Sequence, residues 1–195
     1  YIDAIWKDGI VAQKAERKYI EIEKELVITS EKTGSSVVIT PSDTLSYSVE
    51  IDFNSKVLGL QTAEWNPSTV YAEEIGTCRT FVFFHEIEYL FNNNLIKGGD
   101  VDNAIVIVEN PVPDEQLQRL SELFNVPAFQ RCDNGYLNNL ELRFPNECAR
   151  HKLLDLIGDL RLAGGFLKAN IRAVRPGHTI NTNAAKALRE LLGNK

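Results

Sequence analysis

RHKLLDLIGDLRL, running from Arg150 to Leu162, decides how the rest of the chain is read. Leu153, Leu154, Ile157, Leu160 and Leu162 recur at helical spacing, and no Pro or β-branched run interrupts them. That pattern predicts an amphipathic helix with a wide apolar stripe. Asn146 stands where an N-cap belongs, and Gly164-Gly165 where a helix stops. His151 and Asp155 are four residues apart, so their side chains share a face and can meet at one point. Asp159 follows four residues later on a neighbouring strip. Neutral imidazole nitrogen and carboxylate oxygen are both zinc donors, and one helix can supply two of them at this spacing. Lys152 sits beside them as a cation for a developing oxyanion. The same spacing also arises between ordinary exposed helix neighbours, so the pair alone leaves both readings open.

Working outward on the N-terminal side, KYIEIE (18–23), ELVITS (25–30), SVVITP (36–41) and LSYSVEIDF (45–53) alternate β-branched and polar residues. They predict strands of a half-buried, largely antiparallel sheet, with EKTGS (31–35) as a turn. Residues 4–15 read as a short helix or linker. QTAEWNPSTVYAEEI (61–75) predicts one or two further strands around an Asn-Pro turn. CRTFVFF leads into a helix over EIEYLFNN (86–93), where His85 reads as a surface residue and Phe84 as core. LIKGGDVDNAIVIV (95–108) is a Gly-Gly turn followed by a buried strand. PDEQLQRLSELF (113–124) predicts a helix from Leu117, Leu120 and Leu123, and Asp133-Asn134-Gly135 a hairpin. On the C-terminal side, FLKANIRAVRP (166–176) predicts a strand and NTNAAKALRELL (181–192) a closing helix. The expected fold is α+β: a two-layer sandwich of a mainly antiparallel sheet packed on helices, with a βαβ-like insert over 95–140.

Composition narrows the function classes. The 195 residues are 44% hydrophobic and 25% charged, as in an ordinary globular domain. A net charge of −6 argues against nucleic acid as the main partner. No apolar run reaches the length of a membrane span and no signal peptide opens the chain. Cys78, Cys132 and Cys148 are odd in number and lack a C-x-x-C spacing, so they read as reduced thiols of a cytoplasmic protein. A catalytic zinc usually takes three protein ligands, and the chain offers only His85 and His178 besides His151. Glu86 stands as an alternative third ligand for a different zinc hydrolase. The chain has no Met and opens mid-pattern at YIDAIWKDGI, so a fragment is expected.

RHKLLDLIGDL, taken with RPGHTIN (175–181), CRTFVFFHEIEYL (78–90) and LIKGGDVDNAIVIV (95–108), resembles the zinc-dependent UDP-3-O-acyl-N-acetylglucosamine deacetylase family of lipid A synthesis. The resemblance covers nearly the whole chain, but only the second domain of that family. It implies that His151 and Asp155 are zinc ligands, that Lys152 stabilises the tetrahedral oxyanion, and that His178 assists the leaving amine. Without the resemblance, His178 reads equally as a turn-capping residue before the last helix. Asp159 is implied to orient His178. Thr80, Phe81 and Phe83 correspond to positions near the reacting centre, although Val82 stands where the family commonly has Gly. Ile87, Ile96, Gly99, Val101, Ala104 and Val106 correspond to substrate-binding positions around a passage for the acyl chain. The third ligand and the general base belong to a first domain, of which residues 1–16 would be the linker, with 17–195 the second domain. The longer connection over 109–146 is similar to that of members fused to an acyl-carrier-protein dehydratase. A domain that binds sugar nucleotide or acyl chain without catalysis is the competing reading.

Overall fold

The computed structural model describes residues 1–95, 103–130 and 132–193. A short helix, α1 (Ile2–Asp8), buries nothing. Strands β1 (Tyr19–Ile20), β2 (Leu26–Ser30), β3 (Ser35–Pro41), β4 (Ser46–Ile51) and β5 (Gln61–Trp65) follow. Next come α2 (Tyr71–Glu74), β6 (Thr80–Phe83), α3 (Ile87–Asn92), β7 (Ala104–Ile107) and α4 (Asp114–Phe124). The chain ends with α5 (Glu147–Leu160), β8 (Phe166–Leu167), β9 (Ala169–Val174) and α6 (His178–Gly193).

Five strands form the main sheet in the order β2-β3-β9-β4-β5. Three of its four pairings are antiparallel, and β4 with β9 is parallel. Val37, Ile39, Val49, Ile51, Ile171 and Ala173 point to one face and are buried there. Helices α5 and α6 cover that face, α5 over β4 and β5 and α6 over β2 and β3. The alternation in sequence is thus the alternation of a sheet wet on one side. The expected two-layer α+β architecture is what the chain forms.

A second, smaller unit hangs from the first. Strands β6 and β7 pair in parallel, from Thr80↔Ala104 to Phe83↔Ile107, with α3 between them in sequence. In β7 and the residue after it, Ile105 and Ile107 join the main core while Val106 and Val108 join a second core with Ile87, Leu117, Leu120 and Phe129. Because successive side chains point oppositely, a strand lying between two cores must be apolar throughout. That is why IVIV has no polar alternate.

One buried ion pair ties the unit to the sandwich. Glu147, the first residue of α5, has no exposed surface. Its Oε1 accepts from the Arg79 backbone N–H (2.9 Å) and Arg79 Nε (2.9 Å). Its Oε2 accepts from Arg79 Nη2 (2.9 Å) and the Arg143 N–H (2.7 Å). Burial pushes this carboxyl up, but the donors from Arg79 and Arg143 outweigh it and hold it below the ordinary value of 4.5.

Several expectations give way. KYIEIE contributes just Tyr19–Ile20 as strand, pairing in parallel with the two-residue β8. The reason is local: Ile20 packs onto Gly165, and the ladder breaks at Lys168 between β8 and β9. The stretch 61–75 forms one strand, within the one or two expected, and its end folds into the helical turn α2 instead. Among the described residues, Asp133-Asn134-Gly135 makes no hairpin. Asn side chains take the local amides instead: Asn134 Oδ1 accepts from Tyr136 N and Asn139 Oδ1 from Asp133 N. Gly135, at φ 83°, then turns the chain so that Tyr136 bridges Ile107. Asn146 occupies the N-cap position, yet its side chain bonds Thr62 O and Arg150 Nε rather than capping. Leu162 is 64% exposed, because a tighter turn over Arg161–Ala163 rotates it off the stripe; Leu156 is buried in its place. The final helix begins at His178, three residues before the apolar pattern does.

Three outcomes follow. Replacing Arg79 by Met leaves a buried carboxylate without its guanidinium, and urea denaturation will show a loss of about 3–5 kcal/mol. Since Glu147 has a lowered carboxyl pKa, the folded chain holds that proton less readily than the unfolded one. Its stabilisation is therefore complete above the unfolded value and lost as pH falls through the lowered one; a Glu147→Gln variant that folds will have a flatter acid limb. Burial pushes the Cys78 thiol up to about 11 and the Cys148 thiol to about 12. Under native neutral conditions an alkylating reagent will modify Cys132 first, and will reach Cys78 and Cys148 at comparable rates only in denaturant.

Candidate metal centre

Helix α5 runs beneath the start of β6, and this crossing shapes the site. His151 and Asp155 lie on the same edge with side chains 14% and 10% exposed. His151 Nδ1 stands 3.2 Å from the Cys78 carbonyl oxygen. A carbonyl cannot donate, so Nδ1 carries the proton and Nε2 is left with its lone pair. That lone pair faces Asp155 Oδ1 at 3.5 Å. Burial holds the imidazole below its ordinary pKa, opposed by the Asp155 charge and by the bond to Cys78. Two acceptors therefore converge with no proton between them, an arrangement that a cation relieves.

The residues fit zinc as two of its ligands. Donors at about 2.0–2.1 Å from a tetrahedral ion stand roughly 3.4 Å apart, close to the distance found. The second imidazole nitrogen is held by a backbone carbonyl, the usual orientation of a metal-binding His. Asp155 uses its other oxygen, Oδ2, to accept from Lys152 Nζ at 3.1 Å. Among the described residues, no third His, Cys, Asp or Glu joins them in a group able to enclose a metal. Glu86, the alternative third ligand, does not join His151 and Asp155 in such a group among the described residues; its Oε2 accepts from the Phe83 N–H at 3.4 Å and closes the turn before α3.

One helical turn further on, Asp159 Oδ2 accepts from His178 Nδ1 at 2.9 Å. The same oxygen accepts from Asn181 Nδ2 at 3.0 Å. Helix α6 supplies both donors from its first turn, so Asp159 pins the N-terminal end of α6 against α5. Asn181 is fully buried, and its own Oδ1 has no hydrogen-bond partner among the described residues. His178 has a 71% exposed side chain and lines an open cleft with Phe53, Lys32, Arg175 and Thr179.

Thr80 is exposed at the head of β6. The Phe81 ring carries Lys152 Nζ 5.4 Å from its centroid. Phe53 meets Phe81 (5.7 Å) and Phe83 (5.9 Å) edge-on, and His85, itself exposed, stacks on Phe83. Phe84 packs against the second core. Ile87 and Val106 are buried in that core, and Ala104 is half-buried on β7. Ile96, Gly99 and Val101 lie outside the described residues. Sequence reasoning missed Phe53, Arg79, Glu147 and Asn181. Of these, Glu147 carried a signal: it stands four residues before His151, on the same helical edge.

The sequence model of the family described as UDP-3-O-acyl N-acetylglycosamine deacetylase matches residues 1–125 and 128–190. The chain is 40% identical over 190 residues to the bifunctional enzyme LpxC/FabZ of Bacteroides thetaiotaomicron, covering 97% of this chain and 41% of that protein. It is 36% identical over 174 residues to the UDP-3-O-acyl-N-acetylglucosamine deacetylase of Helicobacter hepaticus, covering 89% and 50%. The corresponding enzyme of a Nostoc species is 32% identical over 192 residues, covering 96% and 60%. The chain therefore spans between two fifths and three fifths of the length of these relatives. A match this long, in the order of the segments that build the site, means that the chain belongs to the UDP-3-O-acyl N-acetylglycosamine deacetylase family.

Proposed function

We propose that this chain carries one half of the catalytic centre of a zinc-dependent deacetylase acting on UDP-3-O-acyl-N-acetylglucosamine in lipid A synthesis. The observation that supports it is the bare His151 Nε2 facing Asp155 Oδ1 at 3.5 Å, with the opposite ring nitrogen tied to the Cys78 carbonyl. Those two atoms would hold the zinc. Bound there, zinc supplies a Lewis acid and a water of lowered pKa for attack on the acetamide carbonyl.

The chain's own groups supply the rest of the local chemistry. Lys152, held by Asp155 and lying over Phe81, presents positive charge where the carbonyl oxygen becomes negative. His178, with Nδ1 fixed on Asp159, leaves Nε2 to give a proton to the departing amine. Thr80, Phe81 and Phe83 border the reacting centre, and the aromatic cluster with Phe53 keeps water from its flank. Ile87, Ile96, Gly99, Val101, Ala104 and Val106 would bind the acyl chain, at about 0.8 kcal/mol per buried methylene. The third ligand and the general base come from protein outside this chain, which we take as the second domain (17–195), preceded by a linker (1–16). The names of the bifunctional relatives support a fused dehydratase. No helix among the described residues is long and apolar enough to cross a membrane, which suits the cytoplasmic setting of a nucleotide-sugar substrate.

The chain, purified metal-free and titrated with zinc, will take up the ion weakly, and His151→Ala and Asp155→Ala will each reduce uptake to background in equilibrium dialysis. The same zinc-loaded chain will not release acetate from the substrate. Acetate release at a measurable rate would show that the centre is complete without further protein.

A further inference from the structure

The Cys78–Arg79 peptide unit is gripped at both ends by α5. Its N–H donates to Glu147 Oε1 at 2.9 Å, and its carbonyl accepts from His151 Nδ1 at 3.2 Å. Glu147 and His151 are one helical turn apart, so a single amide plane is held between two side chains of the same helix edge. We propose that Glu147 is a positioning residue for His151, acting through this shared peptide to keep the imidazole in the Nδ1–H tautomer with Nε2 free. The inference rests on the reading of His151 as a metal ligand for its functional meaning, but not for its geometry.

The physics is that of a polarised hydrogen-bond chain. A bond from an N–H to a buried carboxylate is charge-assisted and stronger than a neutral one. An anion accepting from the N–H end of an amide pushes electron density toward the carbonyl oxygen, which becomes more negative and binds the imidazole N–H more strongly. The plane is also fixed in angle, because the Arg79 side chain binds the same carboxylate through Nε and Nη2. Three of the four donors to Glu147 come from Arg79, on the segment that carries the Cys78 carbonyl, and the fourth is the Arg143 N–H. Ligand-orienting groups of this kind change metal affinity by about 10–100-fold when removed.

The test separates positioning from folding. In the metal-free chain under mildly alkaline conditions, imidazole nitrogen shifts from NMR will show His151 protonated on Nδ1. Arg79→Lys, which removes the guanidinium bonds but keeps the backbone N–H on the carboxylate, will lose stability while leaving that tautomer in place. Glu147→Gln, where it folds, will shift His151 toward the Nε2–H form and lower zinc affinity by about tenfold or more. The Nε2–H tautomer in the native chain overturns the proposal, as does a tautomer unmoved in folded Glu147→Gln. If Glu147→Gln does not fold, a tautomer that shifts in Arg79→Lys in step with lost stability overturns it too. Correct tautomers without zinc uptake would instead remove the metal reading and leave the positioning role standing.

Discussion

The carboxylate of Glu147, sealed from water and satisfied by four donors, is the constraint on which the rest of the site depends. An ionised group so buried is tolerable only when every lone pair is used, and here the donors come from two separate segments of chain. One is the entry to β6 and the other the approach to α5. Arg143 Nη1 also donates to the Thr77 carbonyl, and Arg150 Nη1 donates to that of Glu74, so the loop before β6 is stitched to both ends of the helix start. The cost of desolvating the charge is offset by fixing where β6 begins. Everything the candidate site needs from β6, from the Cys78 carbonyl to the Phe81 ring, is placed by that anchor.

The second organising feature is the position of β9. It enters the sheet between β3 and β4, so the last strand in sequence is central in space. Central strands are the most rigid part of a sheet, and β9 delivers Gly177 and His178 directly from one. Arg175, at φ 47°, bends the chain out of the ladder while its N–H donates to the Glu50 carbonyl. Helix α6 therefore starts from a fixed point beside α5. Asp159 can then hold both His178 and Asn181 with one oxygen, because the two donors rise from the same helical turn. Two helices that meet only through the sheet would leave His178 free to wander; the shared oxygen prevents it.

The two cores have different roles. The larger one, between the sheet and α5 and α6, makes the platform. The smaller one, under α3 and α4, is built around the outer side chains of β7. Their common wall is a strand without a polar face, so the βαβ unit cannot detach without exposing Ile105 and Ile107 on one side or Val106 and Val108 on the other. Phe53 bridges from the loop after β4 to the rings of β6, and it extends the platform toward the cleft beside His178.

By itself the sequence determined the kinds of elements and the helical edge that carries the candidate ligands. Residue spacing dictates which side chains share a face, so His151, Asp155 and Asp159 on α5, the alternating strands and the helix from Asp114 were legible without coordinates. Local pattern was misleading where a partner was missing or a competitor was present. KYIEIE alternates but has only a two-residue neighbour, and Asp-Asn-Gly suggests a hairpin yet spends its side chains on nearby amides. What only the tertiary structure decided is the set of contacts between residues far apart in the chain: Glu147 with Arg79, His151 with the Cys78 carbonyl, Asp159 with His178. Those pairings depend on strand order and on the crossing of β6 over α5. No periodicity encodes them, because periodicity describes one element at a time and these bonds are made between elements.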